Sequence, residues 1–337
     1  MSQEPPGPRC SSVVRRPAPD GQPSVVVGLA TYRRPADLAR ALPAVLAQVE
    51  ELDRATARLV VVDNDPQASA RGQVEGASPL VTYVHEPRPG ISAARNRCIA
   101  EAADADALVF IDDDEVPDPG WLQALVDAWV GWGCAAVTGP VTSIFDGDAD
   151  DWVRGSGVFA RTERVTGSVN PGASSANLLL DLAVLRRLGI SFDEAFGLSG
   201  GSDTMLAHSL RSRGEQIRWC QEAGVTEHVP AERSRRAWVF SRVMRTSNTW
   251  SRVGMALAAT PARRARKRLE LTARGVVRIV RGSLERVVAR TSSDAPRDAR
   301  GAVEVASGLG LLLGAWGSVR YEYRRHSGSD SVGSDTA

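Results

Sequence analysis

The chain has 337 residues, 43% of them hydrophobic and 24% charged, a balance that fits a soluble globular protein with a substantial core and excludes a disordered or fibrous one. Its net charge of +1 conceals a segregation, because residues 1–230 hold 20 Arg against 31 Asp+Glu while residues 231–300 hold 18 Lys+Arg against 5 Asp+Glu. An acidic body followed by a basic segment points to an anionic partner for that segment, a phospholipid surface or a phosphate-bearing substrate.

Residues 1–23 are rich in Pro, Gly and Arg, have no apolar signal core, and are expected to be a disordered tail. Ser24–Ala30 (SVVVGLA) has the β-branched, apolar character of a buried strand, and Ala36–Val49 carries apolar residues at helical spacing. Arg58–Val62, Val81–Val84, Ala107–Ile111 and Ala135–Gly139 read as further buried strands. Ile91–Ala103 and Pro119–Trp132 read as helices between them. Residues 140–176 are rich in Gly, Ser, Thr and Asp and are expected to be loop-rich. Asn177–Leu185 predicts a strand running into a helix, Thr204–Arg213 a helix, and Ile217–Cys220 and Val225–His228 two short strands. From Ala231 onward the chain reads as helical and Arg-rich. The cysteines, Cys10, Cys98, Cys134 and Cys220, form no CxxC pair, so no zinc or disulfide framework is legible and a reducing compartment is expected.

Apolar strands alternating with helices predict an α/β fold, a mostly parallel Rossmann-like sheet with helices on both faces. In such sheets functional polar residues gather past the carboxyl ends of the strands. TYRR, DND and DDDE, at residues 31–34, 63–65 and 112–115, all stand there. Asp112 and Asp114 are two apart, a spacing that can converge on one cation, and hard oxygen ligands without thiolates suit Mg²⁺ or Mn²⁺ bridging to a diphosphate. A solvated acidic turn is the alternative. Asp63 is placed to accept from a base N–H or a ribose hydroxyl, or else to initiate a turn. Thr31, Tyr32 and Arg33 frame a nucleobase in this reading, and Arg33 with Arg34 also fits a solvated loop pair. Arg88, Arg95 and Arg97 are candidate phosphate donors, Arg97 fitting an exposed helix face as well. Asp203, after Gly200-Gly201-Ser202, is a candidate general base, with a helix N-cap as the competing role. No GxGxxG follows the first strand and no GxxxxGK[ST] occurs, which argues against a dinucleotide fingerprint and a P-loop kinase.

The series VVVGLATYRRP, LVVVDND, EPRPGISAARN, FIDDDEVPDPGW, NLLL, FGLSGGSD and EHVPAER, in this order over about residues 24–245, resembles family 2 glycosyltransferases of GT-A fold. It is most similar to bacterial exopolysaccharide enzymes of the succinoglycan type. The resemblance implies a catalytic domain over 24–230, with a nucleotide-binding half (24–139) and an acceptor half (140–230). A basic helical region over 231–325 and a disordered tail over 326–337 follow. It also implies a nucleotide-diphospho-sugar donor, most simply a UDP-sugar, a divalent cation, and inversion at the anomeric carbon. Thr31, Arg33 and Asp63 match nucleoside-contacting positions, and Arg88 or Arg95 a nucleotide-contacting arginine. Asp112 and Asp114 match the DxD pair, with Asp113 beside them in the donor site; Asp203 matches the base. His228 matches a position that in some relatives reaches the metal or diphosphate. One departure stands out: relatives commonly read GGED where this chain has Ser202 in GGSD. A non-catalytic donor-binding or scaffold relative, transfer to a small secondary metabolite, and a nucleotidyltransferase are the competing functions.

The basic run Arg263–Arg268 is expected to meet an anionic membrane or a polyprenyl-diphosphate-linked acceptor. Few aromatics interleave these arginines, so nucleic acid is not expected. Residues 301–319 have about the length a membrane span needs, roughly 20 residues. They also contain Glu304 and five glycines, and a packed or interfacial helix is expected instead. The location that follows is cytoplasmic, peripheral at the inner face of the cell membrane.

Overall fold

A computed structural model describes residues 21–319. The remaining parts of the two expected tails, residues 1–20 and 326–337, and the last residues of the basic region, 320–325, lie outside it.

The chain opens with β1 (Ser24–Thr31), α1 (Pro35–Glu50), β2 (Thr56–Asp63), the single turn α2 (Arg71–Val74), β3 (Val81–His85), α3 (Ile91–Glu101) and β4 (Ala107–Asp112). It continues through β5 (Glu115–Pro117), α4 (Trp121–Trp132), β6 (Ala136–Thr138), β7 (Val141–Phe145), α5 (Asp151–Gly155), β8 (Asn177–Asp181) and α6 (Leu182–Leu188). α7 (Ser202–Ser212), β9 (Ile217–Trp219) and β10 (Val225–Val229) follow, and three helices end the described chain: α8 (Arg236–Ala256), α9 (Pro261–Ser292) and α10 (Ala295–Ala315).

Seven strands form one sheet in the order β3-β2-β1-β4-β8-β6-β9. β1, β2, β3 and β4 are parallel, and only β8 runs antiparallel to its neighbours β4 and β6. The near-continuous apolar strands follow from cover on both faces. Along β1, Val25, Val27 and Leu29 enter one core with Leu38 and Val45 of α1 and Trp121, Leu125 and Trp129 of α4. Val26 enters the other, with Cys98 of α3, Leu185 of α6 and Leu210 of α7. A second, three-stranded sheet, β5-β10-β7, sits beside the end of β4. Residues 140–176 are less irregular than expected: Val141–Phe145 pairs in parallel with β10, and Asp150 caps α5 by accepting from Val153 N at 2.8 Å.

The C-terminal helices pack as a hairpin on α8. Residues 301–315 form most of α10, wedged between α8 and α9, which explains four of the five glycines of 301–319; Gly317 follows the helix at φ 86°. A Cβ on Gly308 would meet the Gly275 carbonyl of α9 at 2.5 Å, and one on Gly310 the Met244 carbonyl of α8 at 2.3 Å. No other residue permits that approach. No helix among the described residues is long and apolar enough to cross a membrane. The hairpin joins the sheet domain through a small core of Trp152, Val153, Val239, Ala299 and Ala302. Trp152 Nε1 also donates to Asp298 at 2.7 Å.

Candidate active site

β1 and β4 are adjacent, with Ala30 beside Asp112, whereas the chain leaves β1 for β2 on the opposite side. Strand order therefore reverses at β1/β4, and a crevice opens past their carboxyl ends. It encloses about 950 Å³, and Thr31, Arg34, Arg95, Asp112, Asp113, Asp114 and Asp203 line it.

Within it, carboxylates and arginines alternate. Thr31 Oγ1 donates to Asp113 at 2.8 Å. Arg34 Nη1 reaches Asp113 at 2.8 Å and Asp114 at 2.9 Å, and Arg233 donates to the same Asp114 oxygen at 2.9 Å. The buried Arg95, stacked on Phe192, donates to Asp203 at 2.9 Å and lies 3.6 Å from Asp112. Ser175 Oγ donates to the other Asp203 oxygen at 3.2 Å. Asp203 reaches this place because Gly200 and Gly201, at φ 75° and 108°, turn the chain sharply into α7. Asp203 then stands in the first turn of that helix.

Burial and crowding shape the charges. Burial, with Asp114, Asp203 and Asp113 nearby, pushes Asp112 up to about 7 against the pull of Arg95. Burial also raises Asp113, with Arg34 opposing. Glu115 is held well above the usual carboxylate range, first by burial and then by Asp112. It stands opposite Glu227 across the β5–β10 pair. A cation offsets such a cluster. No group of three or more His, Cys, Asp or Glu among the described residues is arranged as a complete metal cage. A pair of aspartates completed by diphosphate oxygens and water fits Mg²⁺ or Mn²⁺ nonetheless.

Five of the expected site residues fall outside the cleft lining, and one of them, Arg97, pairs with Glu101 along α3 at 2.7 Å. Arg33, at φ 54°, turns away to Asp65 at 3.1 Å, and Arg34 takes the inward place. Asp63 is fully buried and accepts from Asp65 N, Ala70 N at 2.8 Å and Tyr83 Oη at 3.1 Å, so it organises the turn after β2. Arg88 is exposed and pairs with Glu86 at 2.9 Å and Glu194 at 3.3 Å. His228 faces Asp146 at 3.1 Å; its neighbour Glu227 lines the cleft, and strand alternation sends the imidazole to the opposite face. The expected metal role of His228 has no support in this geometry.

Sequence reasoning read Arg34 only as half of a solvated loop pair and Glu115 only as part of DDDE, and it missed Arg233 and Glu227, together with a wall built by α8. There Trp238 stacks on Phe159 at 5.9 Å, Arg242 covers both rings, and Arg245 lies alongside in the lining. The EHVPAER stretch, which contains Glu227 and Arg233, was the available signal.

Residues 26–189 match the family described as glycosyl transferase family 2. The chain is 38% identical over 233 residues to the succinoglycan biosynthesis protein ExoM of Rhizobium meliloti (strain 1021), covering 67% of this chain and 74% of that protein. Its fold is similar to the mannosyltransferase PcManGT from Pyrobaculum calidifontis, solved with GDP-Man and Mn²⁺, at TM-score 0.54 and 19% identity over 91% of each chain. It is also similar to GalNAc-T7 solved with UDP, GalNAc and Mn²⁺, at TM-score 0.51 and 14% identity; 70% of this chain matches, spanning 48% of that one. The chain belongs to glycosyltransferase family 2 and has the GT-A type of fold.

Proposed function

We propose that this glycosyltransferase moves a hexose from a nucleotide-diphospho-sugar, a UDP-sugar in the simplest case, to a glycan or polyprenyl-diphosphate-linked acceptor, with inversion. The observation that carries the reading is the Arg95 bridge, which holds the candidate base Asp203 and the first DxD aspartate, Asp112, on one guanidinium. In this reading residues 24–139 bind the donor, 140–230 and α8 meet the acceptor, and Thr31 with Asp113 borders the nucleoside.

Asp112 and Asp114 would hold Mg²⁺ or Mn²⁺, which when bound offsets negative charge on the diphosphate. Arg34 and Arg233, now on Asp114, would suit the diphosphate oxygens as donors. Asp203 accepts the proton of the attacking hydroxyl. The new bond joins that oxygen to the anomeric carbon on the face opposite the leaving group, while the carbon–oxygen bond to the diphosphate breaks. Arg95 keeps Asp203 oriented for this. Ser202, buried and 3.4 Å from Arg95, supplies a neutral acceptor where relatives carry a carboxylate. The Phe159–Trp238 stack with Arg242 offers an apolar sugar face and a phosphate donor, which supports an acceptor bearing both. A membrane-held acceptor also accords with a basic C-terminal region on an anionic bilayer surface.

The test is release of nucleoside diphosphate from a panel of nucleotide sugars with Mn²⁺ or Mg²⁺. Metal-dependent turnover of one donor, reduced about 10²–10⁴-fold in Asp203→Asn with donor binding retained, is expected. Unchanged turnover in that variant would overturn the base assignment, and no metal-dependent use of any donor would overturn the reading.

A further inference from the structure

α9 is inverted relative to an ordinary amphipathic helix. Its inward face is small: Gly275 and Gly282 lie against Gly308 and Gly301 of α10. Its outward face is apolar: Leu269, Val276, Val277, Val280, Leu284 and Val287 are between 48% and 71% exposed. At 100° per residue these six fall within an arc of about 100° and run for roughly 27 Å along the axis. Exposed side chains of this size arrayed in one stripe mark a contact surface.

The borders of the stripe say what it contacts. Arg263, Arg274 and Arg281 follow one edge and Arg290 the other, and the whole helix carries ten basic residues against two glutamates. Beyond the Arg290 edge stands Trp316, 67% exposed, its indole donating to Thr272 at 3.3 Å with Arg268 over its ring. A second copy of the chain would bring two such cationic borders together, so self-association through this face is opposed by like charge. An anionic bilayer supplies what all three features need: acyl chains for the stripe, headgroups for the arginines, and an interfacial layer for the tryptophan.

We infer that the outward face of α9, with Trp316, is the membrane-docking surface of this protein, lying in the headgroup layer of an anionic bilayer. The inference deepens the membrane partner of the proposed function from a run of charge to a defined face, and rests on that reading only for the nature of the acceptor. It requires no sugar transfer.

Full-length protein is sedimented with vesicles of phosphatidylcholine alone and with vesicles in which about one third is phosphatidylglycerol, while donor hydrolysis is measured in the same preparations. Binding to the anionic vesicles is expected, together with a drop of at least about ten-fold in partition for Val280→Asp/Leu284→Asp. Arg274→Gln and Arg281→Gln are each expected to lower it about five-fold. Hydrolysis stays unchanged in all of them, since none lines the cleft. The two arginine variants serve alone where the aspartate pair does not fold. Binding by the Val280→Asp/Leu284→Asp protein equal to that of the parent, or no binding by the parent, overturns the inference. A lipid-free dimer that this variant abolishes also overturns it, assigning the face to a second copy. A failure of donor hydrolysis with vesicle binding intact tells against the proposed chemistry and leaves the docking face standing.

Discussion

Arg95 and Asp203, 108 residues apart in sequence, meet at 2.9 Å, and the same guanidinium lies 3.6 Å from Asp112. Removing the cation leaves carboxylates crowded in a poorly solvated site. Arg95→Leu is expected to destabilise the fold by about 3 kcal/mol in urea melts, within the range for breaking a buried pair. It is also expected to lower kcat by about 10²-fold or more. Arg95→Lys should recover most of the stability and little of the rate, because one ammonium does not span both carboxylates as the planar fork does. Equal rates for the two variants would show that charge alone suffices.

The proposed DxD pair and His228 make opposite predictions. Asp114→Ala is expected to abolish metal-dependent donor binding in calorimetric titrations. His228→Ala is expected to leave it within about two-fold, because the ring faces Asp146. A large loss in the histidine variant would place the imidazole in the site after all.

Asp298 reports on docking of the helical hairpin. Burial opposes its ionisation, but hydrogen bonds from Trp152 and Arg286 outweigh it and hold the carboxyl below its usual range. A carboxyl depressed in the folded state stabilises above its unfolded pKa, and that contribution fades as pH falls through the folded value. Asp298→Asn is therefore expected to lower stability by about 1–2 kcal/mol near pH 7. Parent and variant melts should converge at pH below the ordinary carboxylate range. A gap that persists in strong acid would mean that shape rather than charge is responsible.

The Gly308 contact is steric. Gly308→Val is expected to spread α9 from α10 and destabilise the chain by about 1–3 kcal/mol, read as a lowered Tm, with no direct effect on the cleft. A Tm equal to the parent's would show that the hairpin relaxes freely.

The central sheet was legible because β1, β2 and β4 are buried on both faces and so read as unbroken apolar runs ending in polar clusters. DDDE was legible for the same reason, since no core explanation accounts for four carboxylates behind ALVFI. The partners of those carboxylates were not. Arg233 lies 119 residues from Asp114, and only the folded topology brings the two together. Arg33 and Arg34 look alike in sequence, and one left-handed residue decides which turns inward. His228 and Glu227 differ by a single strand position, which is enough to exchange faces. The stripe on α9 lay in plain view at helical spacing, masked by the arginines between its valines.

α8 belongs to two structures at once. Trp238 and Arg242 form a wall of the cleft, while Met244 and Asn248 of the same helix supply the carbonyls that lie against the glycines of α10. The C-terminal hairpin is therefore a buttress rather than an appendage. A chain cut after Ala256 would keep every aspartate of the strand ends and lose the support that aims the opposite wall. Whatever that wall recognises can then diverge among relatives through changes in distant helices, with the strand-end carboxylates left untouched.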